Sequence, residues 1–150
     1  MLEILKTVIT RVIPLLVVAC FLYFPSIAIA KSSDTAERVA KMAMSTASLS
    51  MMEHHKHKIE EGLEKGDIKE ALEEAEELVL WMEGTPWLDE LLPHAKKATE
   101  AVKKVIEKLK ANDTKGAQSA FKDVKINFYH LHHELMEIVS EEGKKEIHHH

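Results

Sequence analysis

The clearest helical pattern of the chain lies at Ala117–Ile138, AQSAFKDVKINFYHLHHELMEI. Its apolar residues recur at intervals of three and four, and they are Ala117, Phe121, Val124, Phe128, Leu131, Leu135 and Ile138. This spacing places them on one face of an α-helix, as expected for a helix packed nearly parallel or antiparallel to its neighbours. The stretch therefore predicts one member of a helical bundle.

Three more helical patterns precede this stretch. A capping box of Asp34 and Glu37 predicts the start of a first helix that ends before Gly66. The second helix carries an apolar stripe of Ile68, Ala71, Leu72, Ala75, Leu78, Val79 and Met82. The third helix carries a stripe of Ala95, Ala98, Val102, Val105, Ile106 and Leu109. Turn residues at 84–86 and 112–114 separate the last three helices, and no segment alternates like a strand. Residues 31–147 therefore predict an all-α domain, an antiparallel up-down-up-down four-helix bundle.

The N-terminal segment has the features of an export signal. Lys6 and Arg11 precede an apolar run that closes on Ala28-Ile29-Ala30, so residues 1–30 are interpreted as a hydrophobic signal helix removed during secretion to the periplasm. Two alternatives stay open: a retained membrane anchor, and a lipoprotein cleaved and lipidated at Cys20.

Composition narrows the function classes. The chain has a net charge of −5 with both signs interleaved, which disfavours nucleic-acid binding. Cys20 is the single cysteine and leaves with a cleaved signal, so no disulfide and no thiolate metal site is expected in the exported protein. The final residues, 148–150, are interpreted as a tag remnant or tail.

Seven other histidines fall in three clusters, His54/His55/His57, His94 and His130/His132/His133. In an up-down bundle, Met52, Met82, His94 and His132 all stand roughly 20 to 27 Å from the end that holds the 66 and 112–114 turns. This convergence at one level indicates a metal or haem site.

Steps of about 100° per residue divide the histidines into two sets. The inward set predicted from the apolar stripes is Met52, His55, His94 and His132. The outward set is His54, His57, His130 and His133. The inward set defines the candidate pocket.

The last helix resembles that of the cytochrome b562 family, non-covalent haem proteins related to the four-helix cytochromes c′. The similarity lies in Ala117-Gln118-Ser119-Ala120 followed by Phe121, Val124 and His132, and in Met52-Glu53 with Ile59 in helix 1. His94 matches approximately a histidine near the start of the family's third helix. The resemblance departs from the family at His55, where an apolar residue is expected, and at Leu135, where an aromatic one is.

The resemblance implies a periplasmic b-type cytochrome whose haem iron is held by His132 and Met52. Such ligation fills both axial positions and suits electron transfer with a redox partner protein. Met82, Phe128, Leu131 and Ala98 would line the pocket. If Met52 does not reach the iron, His55 or His94 could replace it, or the site could stay open.

The alternative function is a periplasmic copper, nickel or zinc buffer. His54 and His57 are spaced i, i+3, as are His130 and His133, which lets neighbouring imidazoles share an ion. Glu53 and Glu134 could add oxygen ligands.

A third hypothesis is a bundle with no prosthetic group that binds a partner protein through helix 1 or through Trp81 and Trp87. The chain has no nucleophile and base pairing, so it is not expected to be an enzyme. Contact with a membrane is expected only through an uncleaved signal, and the bundle could form a homodimer.

Overall fold

A computed structural model describes the backbone of residues 29–147 and the side chains of residues 34–145. The predicted signal segment, 1–30, lies outside the described residues apart from its last two, which begin the first helix. The predicted tail, 148–150, also lies outside them. The described residues from Glu37 onward belong to one compact unit.

The described chain folds into four α-helices and one short 3₁₀ turn. The helices are α1 (Ile29–Lys65), α2 (Ile68–Gly84), α3 (Leu92–Lys110) and α4 (Thr114–Ile147), and the 3₁₀ turn is Asp89–Leu91. No strand occurs among residues 29–147, so the all-α prediction is confirmed. The predicted start of the first helix is wrong, because α1 continues through Asp34 without a cap.

The turns use the residues that the sequence supplies for them. Gly66 ends α1 with a φ of 73°, and Asp67 then caps α2 by accepting a hydrogen bond from the backbone N–H of Glu70 at 3.0 Å. Asn112 takes a φ of 57° between α3 and α4, and the Asp113 carboxylate accepts from the N–H of Gly116 at 2.8 Å. Positive φ suits glycine and asparagine, and the aspartates satisfy N–H groups that lack helical partners.

Contacts between helices join all four into one core. The Gln118 side-chain amide donates to the carbonyl of Leu63 at 3.1 Å, which ties α4 to α1. Helix α3 packs against both α2 and α4. The largest fully buried side chains include Phe128, Met52, Ile59, Leu78, Met82, Leu131 and Leu135.

The connection between α2 and α3 covers one end of this core. The Trp87 indole N–H donates to the backbone carbonyl of Met82 at 2.9 Å, while Leu88 and Leu91 are buried beside it. The tryptophan therefore satisfies a carbonyl near the end of α2 and also adds a large apolar surface to the core.

Over residues 29–147, no helix combines the length and the apolarity that a bilayer crossing requires.

Candidate functional site

The apolar part of the predicted pocket lies in the core. Met52, Phe128 and Leu131 have no exposed surface, and Met82 is 2 % exposed. Ala98 is buried as well. The apolar stripes account for their inward direction. Ordinary core residues are buried in the same way, so burial by itself does not identify a cofactor pocket.

The prediction that His132 faces inward is wrong. His132 is exposed, whereas Leu131 before it has no exposed surface. One residue turns the side-chain direction by about 100°, which carries His132 from the centre of the α4 apolar stripe to its edge. There it lines a surface groove between α1 and α4 together with Leu49 and Glu53 of α1.

Met52 and His132 consequently do not form an axial pair in this structure. The sulfur of Met52 is enclosed in the core, while the imidazole of His132 lies in the groove. Haem ligation by this pair would need the sulfur of Met52 and a ring nitrogen of His132 to point into one shared pocket. The residues present do not fit that ligation.

His55 is committed to a different neighbour. Its Nδ1 lies 2.6 Å from a carboxylate oxygen of Glu74 on α2, and the two side chains are only 15 % and 27 % exposed. His94, near the start of α3, is half-buried. His55 thus faces α2, whereas His132 projects from α4 into the groove between α1 and α4. The structure therefore does not bring the predicted inward histidines to one point.

The outward histidines lie where the sequence places them. His54, His57, His130 and His133 are all exposed, which confirms their predicted direction. On α1, His57 Nε2 lies 3.4 Å from the carboxylate of Glu61. That carboxylate is already shared with Lys58 at 3.2 Å and Lys65 at 3.7 Å. The carboxylate beside His57 on α1, that of Glu61, therefore has its negative charge largely compensated by two lysines.

Within the described part of the chain, three side chains that could bind a metal ion converge on the outer face of α4. His133, Glu134 and Glu137 each present one ligand atom, and these three atoms lie within 4.8 Å of one another. His133 Nδ1 is 3.8 Å from a carboxylate oxygen of Glu137. The two side chains are 53 % and 60 % exposed, so an ion in water can reach them directly.

Two aromatic contacts order the side chains beside this set. The Tyr129 ring lies 6.1 Å from the His133 ring and 5.8 Å from the His130 ring, measured between centroids. Tyr129 is itself 65 % exposed. Tyr129 lies one helical turn before His133 and directly precedes His130. Contact with its ring restricts the rotamers of an imidazole, which lowers the entropy lost when an ion binds.

Sequence reasoning identified two of these three ligands and missed the third. His133 and Glu134 were predicted from the histidine pair and its neighbouring carboxylate. Glu137 follows His133 by four residues, and this i, i+4 spacing between imidazole and carboxylate is the signal that points to it.

Comparisons with family models, with curated proteins and with solved structures found no match to this chain. The resemblance to the cytochrome b562 family therefore stays a prediction.

Proposed function

We propose that the chain binds a divalent transition-metal ion on the outer face of α4 through His133, Glu134 and Glu137. The observation that carries the proposal is the convergence of their three ligand atoms within 4.8 Å. One imidazole and two carboxylates form a mixed nitrogen and oxygen set that suits zinc, nickel or copper(II). The exposed position suits reversible uptake and release, as a metal buffer requires.

The helix supplies the geometry of the proposed site. His133 and Glu137 stand one turn apart on the same face, and His130 stands in the same relation to Glu134. His130 is therefore the candidate fourth ligand from protein, with water as the alternative. The neutral imidazole is the ligand form, so binding weakens as acid protonates the histidines.

Titration calorimetry with zinc chloride and nickel chloride tests this function. In every protein compared, His148–His150 are replaced by serine, because the terminal histidines bind these ions by themselves. The double variant His133→Ala, Glu137→Gln is expected to lose affinity by roughly tenfold or more. The matched control is His57→Ala, Glu61→Gln, which removes an imidazole and a half-buried carboxylate of the same spacing on α1.

Equal losses in the two double variants, or no saturable binding by the parent protein, would refute the α4 site. All substituted side chains are at least partly exposed, so circular dichroism is expected to report an unchanged helix content in both variants.

The cytochrome function stays a prediction with its own test. Ligation by Met52 and His132 would require α4 to turn His132 towards the core, since the side chain now lies in the α1–α4 groove. An absorption spectrum of protein purified from haem-replete cells decides the question. A Soret band that persists in Met52→Leu and in His132→Asn would exclude these two ligands, and a colourless protein would exclude haem.

We also infer that the helices run alternately up and down. The contacts of α1 with α4 support this order, because Leu63 meets Gln118 while the earlier Glu60 meets the later Lys125 at 2.7 Å. Arg38 meets Glu142 still further along, at 3.4 Å. Residue numbers thus fall on one helix as they rise on the other.

Export to the periplasm belongs to the same proposal. A cleaved signal over residues 1–30 would deliver the bundle to a compartment in which transition metals are buffered outside the cytoplasm. Cell fractionation, followed by N-terminal sequencing of the mature protein, distinguishes cleavage after Ala30 from a retained anchor and from lipidation at Cys20.

A further inference from the structure

A groove of about 290 Å³ separates α1 from α4 on a different face from the proposed divalent site. Leu49 and Leu135 supply buried apolar groups to its walls. His132, Met136 and Glu53 supply an imidazole, a thioether and a carboxylate to the same groove. The groove therefore combines apolar walls with three kinds of side-chain group that can bind a metal ion.

The two ligands on α4 are available. His132 makes no hydrogen bond or ion pair within the described part of the chain. Met136 follows it by four residues, on the same face of the helix, and is 48 % exposed. The three rotatable bonds of methionine allow its sulfur to move over the groove towards the imidazole without any change in the backbone.

The third group is held on the opposite wall. Glu53 lies on α1, where its carboxylate is 2.5 Å from the ammonium group of Lys56. Lys56 in turn lies 5.6 Å from the centroid of the Phe128 ring. Because the ion pair with Lys56 compensates much of the charge of Glu53, this third group adds little net charge to the groove.

We propose that this groove binds a soft monovalent ion, copper(I), through His132 Nδ1 or Nε2 and the sulfur of Met136. Thioethers select copper(I) over the harder divalent ions, and imidazole accepts both. A monovalent ion also needs less compensating charge than zinc or nickel in a partly apolar groove. Glu53 is placed to complete a third coordination position.

Silver(I) serves as the redox-inert probe for this site. Protein with methyl-labelled methionine is titrated with silver nitrate in chloride-free buffer, with His148–His150 replaced by serine. The methyl resonance of Met136 is expected to shift at one equivalent, while that of Met51 does not. Met51 is the matched control, since it is a methionine of α1 with 44 % exposure that does not line the groove.

Copper(I) competition gives the affinity. Under anaerobic conditions the protein competes with a chromophoric copper(I) chelator, and Met136→Leu and His132→Asn are each expected to weaken binding by roughly tenfold or more. Met51→Leu is expected to bind as the parent does. All three positions are exposed, so helix content by circular dichroism is expected to stay unchanged.

Two results would overturn the groove site: equal shifts of the Met51 and Met136 resonances, or equal losses in Met51→Leu and Met136→Leu. The divalent site on the outer face is tested independently. His133→Ala with Glu137→Gln is expected to weaken zinc binding by roughly tenfold or more and to leave the silver shift of Met136 in place. Loss of the silver shift of Met136 in that variant would show that silver binding depends on the outer-face residues. It would refute a separate groove site.

Discussion

A single residue step separates two histidines of the proposed metal sites. His132 and His133 are neighbours, yet His132 lines the α1–α4 groove and His133 lies with Glu134 and Glu137 on the outer face. The rotation of about 100° per residue accounts for the difference. In the proposed sites each histidine is paired with a residue four positions later, Met136 for His132 and Glu137 for His133.

Gly62 is the residue that sets how closely α1 approaches α2. A Cβ atom at this position would lie 2.9 Å from the backbone nitrogen of Ala71 and 3.0 Å from its Cβ. Backbone cannot move aside as a flexible side chain can. Gly62→Ala is therefore expected to lower the free energy of unfolding by about 1 to 3 kcal/mol, despite the better helix propensity of alanine.

Urea unfolding followed by circular dichroism measures this loss. Gly143→Ala is the matched control, because Gly143 is also inside a helix but a Cβ there meets nothing within 4 Å. That variant is expected to gain roughly 0.5 to 1 kcal/mol. A gain of the same size in Gly62→Ala would contradict the close approach of α1 to α2.

At the scale of the element, short-range signals locate the turn between α1 and α2 and the turn between α3 and α4. Gly66 and Asp67 separate α1 from α2, and Asn112 and Asp113 separate α3 from α4, as their backbone preferences predict. The start of α1 escapes this reasoning. Asp34 and Glu37 match a capping box, yet α1 begins at Ile29, because a cap-like pair does not break a helix when helix-compatible residues precede it.

The cap at the start of α2 gives an element-scale prediction. Asp67→Ala removes the acceptor for the N–H of Glu70 and is expected to cost about 1 kcal/mol of unfolding free energy. The measurement is the midpoint of urea unfolding. Asp89→Ala is the control, because Asp89 is exposed and lies in the 3₁₀ turn, where no side-chain cap bond forms. A loss in the control as large as that in Asp67→Ala would contradict the capping role.

Across the whole molecule, Arg38 connects three separate parts of the chain. Its guanidinium lies 2.7 Å from Glu90 beside α3 and 3.4 Å from Glu142 on α4. The pKa of Glu90 is held below its ordinary value, first by a hydrogen bond from the backbone of Glu90 itself and then by the hydrogen bond from Arg38. The pKa of Glu142 is lowered chiefly by a hydrogen bond from Lys145, with Arg38 adding to it.

The pH dependence of stability follows from these directions. A carboxyl group whose pKa is lower in the folded state stabilises the fold above its unfolded pKa, and this contribution is lost as the pH falls through the folded pKa. Arg38→Gln is therefore expected to lower the urea midpoint at about pH 7 and to have much less effect at about pH 3. The groups are partly exposed to solvent, so the difference is small and decreases with added salt.

Lys69→Gln provides the comparison, since its ion pair with Glu73 lies within α2 and does not connect separate parts of the chain. An Arg38→Gln difference that stayed constant from neutral to acidic pH would show that the arginine acts through packing of its stem.

Helical periodicity and turn chemistry act over a few residues, so the all-α class, the turns and the apolar stripes could be predicted from the amino-acid sequence. The outward direction of His54, His57, His130 and His133 could be predicted in the same way. Which partner each histidine meets depends on how the helices pack. His55 lies at an edge that α2 covers with Glu74, whereas His132 lies at an edge that α1 leaves open as a groove. The packing of neighbouring helices sets whether an edge position is covered, and one helix's periodicity carries no information about that packing.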